Sequence, residues 1–230
     1  MNKYKTKHYE IIDREEKISD EIIRICSFAY DKNKRFFGKD SGFFKIYITH
    51  TEEEFRKRAK PYYKPWVKGI SRHGRFVVIR DPKLFNECYK KHKGTKDYRI
   101  LLAHEVNHVF AWYFNMYRGP YWMTEGLATY VAGQIPGKTY KRDIKINRER
   151  AIEQLFYRGI KRKMNMDMYV VDYYGIEHLI RIHGKGRFQK LIKSYTEKTM
   201  KKDFEKTFNK IYRISYNNFL KNFLDNKYPN

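Results

Sequence analysis

Residues 104–108 read His-Glu-Val-Asn-His and sit inside an apolar run from Ile100 to Phe114. Helical spacing puts His104 and His108 one turn apart on one face. Two imidazoles so placed can bind one zinc ion, with Glu105 directed at a water that shares the metal. At about 100° per residue, Leu102, Val106, Val109, Phe110 and Tyr113 fall on the opposite side. That side is predicted to be buried, so the histidines would line a cleft from a rigid core helix spanning about Asp97 to Phe114.

A catalytic zinc needs three protein ligands and one open position. Seventeen residues after His108 comes Glu125, within the run Pro120-Tyr121-Trp122-Met123-Thr124-Glu125-Gly126-Leu127-Ala128-Thr129-Tyr130. Glu125 is the candidate third ligand, at the start of a second helix over Glu125–Ala132, with Thr124 as its candidate cap. Gly133 and Pro136-Gly137 end that helix.

The two stretches together, H-E-x-x-H and then P-x-W-[LM]-x-E-G-L-A-x-Y, resemble the gluzincin metallopeptidases. This peptidase MA-like group includes thermolysin-type enzymes and zinc aminopeptidases. Its members also carry a strand of the type I-x-I, a helix beginning E-E-F and an edge strand ending in proline. Ile46-Tyr47-Ile48, Glu53-Glu54-Phe55 and the strand before Pro82 match that order. A tyrosine 15 residues before a glycine, with a leucine between, is matched by Tyr169, Leu179 and Gly184. The resemblance covers roughly residues 40–224 and is specific at 104–108 and 120–130.

The resemblance implies one zinc per chain on His104, His108 and Glu125, and Glu105 as the general base for a peptidase reaction. It implies that Tyr169 donates a hydrogen bond to the oxyanion, a role that Tyr173 or Tyr174 could fill instead. It also implies that the strand Arg75–Arg80 is the sheet edge beside the zinc helix, with Val77 and Val78 binding an extended peptide or protein substrate. The zinc aminopeptidases place G-x-M-E-N at that edge, and its glutamate holds the free amino group. Here Gly74-Arg75-Phe76-Val77-Val78-Ile79 offers no acid before Asp81, so an endopeptidase is expected.

Fold class follows from the order of elements. Strands are expected at Phe43–Thr49 and Arg75–Arg80, with helices from Ile18 and from Thr51; Asp31–Gly42 reads as a polar loop and Pro61–Gly74 as loop-rich. Residues 83–96 read as a helix plus a loop. After the second motif come helical stretches over Arg148–Arg162, with Ile152, Leu155 and Phe156 inward, and over Asp167–His183, closed by Gly184. Apolar stripes follow at Phe188, Leu191, Ile192 and Tyr195, at Phe204, Phe208 and Ile211, and at Phe219, Leu220, Phe223 and Leu224, the last capped by Ser215. Strands before the zinc helix and helices after it make an α+β, zincin-like domain. A mixed or antiparallel sheet lobe over about 1–115 would precede a mostly helical lobe over about 116–230.

With 230 residues the chain can bury a sizeable core, and it has no apolar run long enough to span a membrane. Its start shows no apolar segment of a signal peptide, so a cytoplasmic location is expected; a secreted chain with its leader removed would look the same. Cys26 and Cys88 read as small buried residues rather than metal ligands. The 50 Lys and Arg against 26 Asp and Glu give a net charge of +24. A field this positive attracts polyanions, nucleic acid among them.

Two other readings follow. A nucleic-acid-associated metallopeptidase of the SprT-like kind suits the charge, but lacks here its third histidine ligand and cysteine zinc ribbon. A non-enzymatic basic binding protein on a degenerate peptidase scaffold would tend to have lost a ligand or the base. His178 and His183, five apart, read as structural; His8, His50, His73 and His92 as solvated. Asn107, about 60° from His104, is a candidate for cleft polarity.

Overall fold

Three short parallel strands bury apolar residues at the centre of the first half of the chain, Ile11 and Ile12, Ile46 and Ile48, and Val77 to Ile79, as parallel pairing with covered faces demands. The structure is a computed structural model that describes residues 1–14, 17–141, 146–149, 151–152, 167–195 and 204–227. In chain order the elements are β1 (Asn2–Lys5), β2 (Tyr9–Asp13), α1 (Asp20–Phe37), β3 (Phe44–Thr49), α2 (Glu52–Ala59), β4 (Gly69–Arg72), β5 (Phe76–Arg80), α3 (Pro82–His92), β6 (Gly94–Thr95) and α4 (Tyr98–Tyr113). Then come α5 (Tyr121–Ala132), β7 (Tyr140–Lys141), α6 (Asp167–His183), α7 (Lys185–Ser194), α8 (Phe204–Tyr212) and α9 (Tyr216–Lys227). The class is α+β, with a mixed five-stranded sheet first and a mostly helical remainder.

Helix starts follow side-chain caps. Ser19, Thr51 and Asp81 accept from the backbone N–H of Ile22, Glu54 and Leu84. Asp97 does so from Arg99 N at 2.8 Å, and Ser215 from Asn218 N at 3.0 Å. Thr124 caps nothing: it lies inside α5, which starts four residues earlier than the sequence suggested. Helix α1 runs on through the stretch read as a loop to Phe37, because Phe36 and Phe37 are buried rather than loop aromatics. It ends at Gly38, in the left-handed conformation (φ 73°).

The strand order is β1-β2-β3-β5-β4. β2, β3 and β5 pair in parallel, while β1 and β4 are antiparallel to their neighbours. This corrects the edge assignment. Val77 is paired with Ile46 on one side and Ser71 on the other, and Val78 with Tyr47 and Ile70. Both valines are fully buried. With its backbone groups occupied by two neighbours, β5 has no free ladder to offer, so Val77 and Val78 are core residues and not substrate-binding ones. Among the described residues the sheet ends at β1 and at β4, and β4 lies inside the stretch read as loop-rich.

One compact unit comprises Met1–Tyr113 with Val131–Arg142, the other Phe114–Tyr130 with Asp143–Asn230. The division is therefore not two contiguous halves: α5 begins in the second unit and ends in the first. In the first unit, Val78 packs with Phe55 and Ala59 of α2 on one sheet face. α4 lies against β4 and β5 and against α1. Asn33 of α1 donates to Ala103 O (2.9 Å) and accepts from Asn107 Nδ2 (2.7 Å), so Asn107 is a buried helix–helix link rather than part of a cleft wall.

The second unit is built around Trp122. Its Nε1–H donates to Tyr216 Oη at 2.7 Å, and its ring stacks on Phe219. Phe188, Leu191, Ile192 and Tyr195 of the predicted stripe are all buried, as are Phe208, Phe219, Leu220, Phe223 and Leu224. Phe204 and Ile211 are half-buried. Ile152 is exposed rather than inward, and Leu155 and Phe156 lie outside the described residues. No helix among the described residues is long and apolar enough to cross a membrane.

Candidate metal centre

Helix α4 is apolar on almost every side, and Leu101 to Asn107 are buried without interruption. A helix of that kind belongs in a core. Its two ends reach solvent, at Arg99 and at Trp112 and Tyr113; Tyr113 thus departs from the buried face expected for it. His104 and Glu105 are buried polar groups on this helix, which therefore need partners.

His104 has one at each ring nitrogen. Its Nδ1 is 2.8 Å from Gln134 Oε1, and its Nε2 is 3.1 Å from His108 Nε2. With Nδ1–H donating to the amide oxygen, the Nε2 lone pair points toward His108. The two rings meet nearly at right angles, 82°. Nitrogens about 2.0–2.1 Å from a tetrahedral zinc stand ~3.3 Å apart, so the observed spacing suits two ligands of one ion.

Glu125 completes the set: ligand atoms of His104, His108 and Glu125 all lie within 4.8 Å of one another. The Glu125 carboxylate accepts a hydrogen bond from Tyr121 Oη at 3.0 Å, which holds one oxygen in place. A donor set of two imidazoles and one oriented carboxylate fits zinc. The residues present thus fit the ion expected from the sequence.

Glu105 is not a member of that ligand group. Its side chain lies against Gly69, where a Cβ would stand 2.9 Å from Glu105 Cγ and 3.3 Å from Oε1. Five residues on, a Cβ on Gly74 would stand 2.8 Å from Trp112 Cγ. Glu105 and Trp112 are two turns apart on α4, so the β4–β5 hairpin runs along one stripe of that helix. Its turn is made by His73 and Gly74, both with positive φ (50° and 64°), the handedness that a tight hairpin prefers.

Other candidates are placed as follows. Tyr169 is half-buried in the first turn of α6. Tyr173 packs between Tyr130 and Tyr174, and its phenol is pushed up to about 12 by burial and by Glu177. Lys227 Nζ sits over the Tyr174 ring at 3.5 Å. His178 is buried against Phe219 and Phe223 with Nδ1 3.1 Å from Arg181 Nη2, a structural residue as read from the sequence. His50, read as solvated, instead bridges Asp13 (2.5 Å) and Asp81 (3.5 Å). Cys26 and Cys88 are both buried and free.

Two residues of the centre escaped the sequence reading. Gln134 carried no signal beyond being a lone amide just after a helix. Gly69 could have been suspected, since a glycine in a strand often marks close approach of another chain segment. Comparison with protein-family models and with curated proteins returns no match to this chain.

Proposed function

We propose that this chain is a zinc-dependent metallopeptidase of the gluzincin type that hydrolyses internal peptide bonds. The observation that carries the reading is the convergence of His104, His108 and Glu125, with Glu105 one residue along the same helix. Bound there, zinc would lower the pKa of its water toward ~7 and polarise the scissile carbonyl. The Glu105 carboxylate takes the proton from the attacking water and passes it to the leaving amine. Burial of Glu105 strengthens that exchange by keeping bulk water from competing. Tyr169 Oη is assigned the hydrogen bond to the oxyanion, as the resemblance implies.

The substrate strand adds to β4 in place of the interior β5. β4 is open on one side and passes Glu105 at Gly69. An extended peptide can join such an edge through its backbone, which selects conformation more than side chains. Apart from Glu105 itself, no acid lies near β4 in sequence: from Phe55 to Arg80 there are nine Lys and Arg and no Asp or Glu. A free N-terminus finds no anchor there, whereas an internal bond needs none.

Polyanion binding by the basic surface is a separate proposal, supported by the +24 charge. It predicts retention on a polyanion column that is lost well below about 1 M salt, since affinity falls as counterion release weakens. Flow-through at low salt removes the support for a nucleic-acid partner.

The test of the main reading is metal analysis beside peptide digestion. One zinc per wild-type chain is expected. Glu125→Ala loses the metal, and Glu105→Gln keeps it but cleaves no peptide. Zinc-loaded Glu105→Gln with wild-type activity removes Glu105 as the base, and a wild-type chain that takes up no zinc removes the reading.

A further inference from the structure

Gln134 makes two hydrogen bonds through one amide. Its Oε1 is 2.8 Å from His104 Nδ1, and its Nε2 donates to Thr95 Oγ1 at 2.7 Å. All three residues are buried, at 5% exposure or less. At this depth an unmatched donor or acceptor is costly, so a histidine that donates from Nδ1 and keeps Nε2 for a metal requires the amide oxygen, and Thr95 Oγ1, able to donate or accept, takes the amide N–H. The carbonyl oxygen faces it, and only that end can accept from Nδ1–H and leave Nε2 bare for a metal.

The segment that carries Gln134 is held by its own bonds. It leaves α5 through Gly133, at φ 82°. Lys32 Nζ donates to the Ala132 carbonyl at 2.9 Å, closing the helix end. Thr139 Oγ1 donates to Gly133 O (2.6 Å) and accepts from Ile135 N (2.7 Å). Thr95 is fixed from the other side, because β6 pairs with β7 through Thr95 and Tyr140. A two-strand clamp, a threonine, an amide and a histidine thus follow one another to the candidate ligand.

We infer that Gln134 is the positioning residue for His104, and that Thr95, held by the β6–β7 pair, anchors the Gln134 side chain. The inference rests on the metal reading. Histidines that bind metals generally donate their second N–H to a carboxylate or a carbonyl, and loss of that partner typically costs 10–100-fold in affinity. Here the acceptor is uncharged. It orients the ring without adding the negative charge that would make Nε2 a stronger donor, so the centre holds its ion less tightly than a carboxylate version would.

The experiment measures zinc affinity of full-length apoprotein by competition with a chelator, and the visible spectrum of the cobalt(II) form at saturation. Gln134→Ala is expected to weaken zinc binding about 10–100-fold and to shift the cobalt spectrum. Thr95→Val, which keeps the shape of β6, weakens it several-fold. Gln134→Glu restores binding to the wild-type value or beyond. Urea unfolding of each apoprotein separates lost affinity from lost structure, and Thr95→Val carries the test if Gln134→Ala does not fold. Wild-type affinity and spectrum in Gln134→Ala and Thr95→Val overturn the inference, as does Gln134→Glu binding as weakly as Gln134→Ala. Both outcomes leave the metal reading standing; wild-type protein that takes up no zinc overturns that reading and this inference together.

Discussion

Gly69 and Glu105 touch so closely that a single added carbon would separate them: a Cβ on Gly69 would come within 2.9 Å of Glu105 Cγ. Gly69→Ala should therefore push the carboxylate aside while leaving His104, His108 and Glu125 alone. The expected result is full zinc content with turnover lowered about 10²-fold, the scale of a ~1 Å misplacement of a reacting group. Zinc stoichiometry and kcat on one peptide check this. Undiminished kcat would mean that β4 gives way rather than Glu105.

Gly126, next to Glu125, has a comparable neighbour. A Cβ there would overlap the Asp172 carbonyl oxygen of α6 and come within 2.8 Å of Ile176 Cγ1. Backbone cannot swing away as a side-chain tip can. Gly126→Ala should cost ~1–3 kcal/mol of stability, as overpacking does. It should also weaken zinc binding, because Glu125 shares the displaced turn. Urea unfolding of the apoprotein and zinc titration measure the two effects. A stability unchanged within error would show that α5 and α6 separate freely.

Cleavage should not need a free amino terminus. The residues on and next to the open edge strand, Arg72 and the exposed Arg75 among them, repel an ammonium group instead of pairing with it. One peptide, with its N-terminus free or acetylated, decides the matter. Equal or faster cleavage of the acetylated form is expected, and strict dependence on the free amine would require an acidic anchor elsewhere.

Stability should fall on the acid side of neutrality through His178. Burial first, then Arg181 and His183, lower its folded-state pKa below 6.5. The unfolded chain therefore takes up the proton at a higher pH than the folded one. The neutral ring's contribution is complete above about pH 6.5 and shrinks as pH falls from there toward the lowered value. His178→Phe should flatten that part of the profile, read as urea midpoints at pH 7.5 and below. An unchanged slope would assign the acid loss to other groups.

The parts of this protein legible from sequence are those where local chemistry and tertiary need agree. The four-residue histidine spacing sits on a helix whose apolar run demanded burial, and α4 forms within a residue of its expected ends. Ser215, Thr51 and Gly184 mark helix boundaries by cap chemistry that needs no distant partner. What escaped depends on partners far away in sequence. β4 is four residues with no alternating pattern and takes its identity from β5 and α4. Without β4, β5 reads as the edge, and Val77 and Val78 read as accessible. β1 and β2 were hidden by lysines and by mixed charge. Gln134 joins His104 across 30 residues, and no spacing rule marks such a bond in advance.

The sheet ends in two open strands, β1 and β4, with sequences Asn-Lys-Tyr-Lys and Gly-Ile-Ser-Arg. Neither contains an acidic residue. Unpaired edges are where separate molecules join into larger sheets, and charged residues on them oppose that joining. Here any edge of one copy meets only positive charge on the edge of another. The barrier against self-association is thus electrostatic, and added salt weakens it. The same four residues that would admit an extended substrate are kept from admitting a second copy of the chain by the arginine at their end.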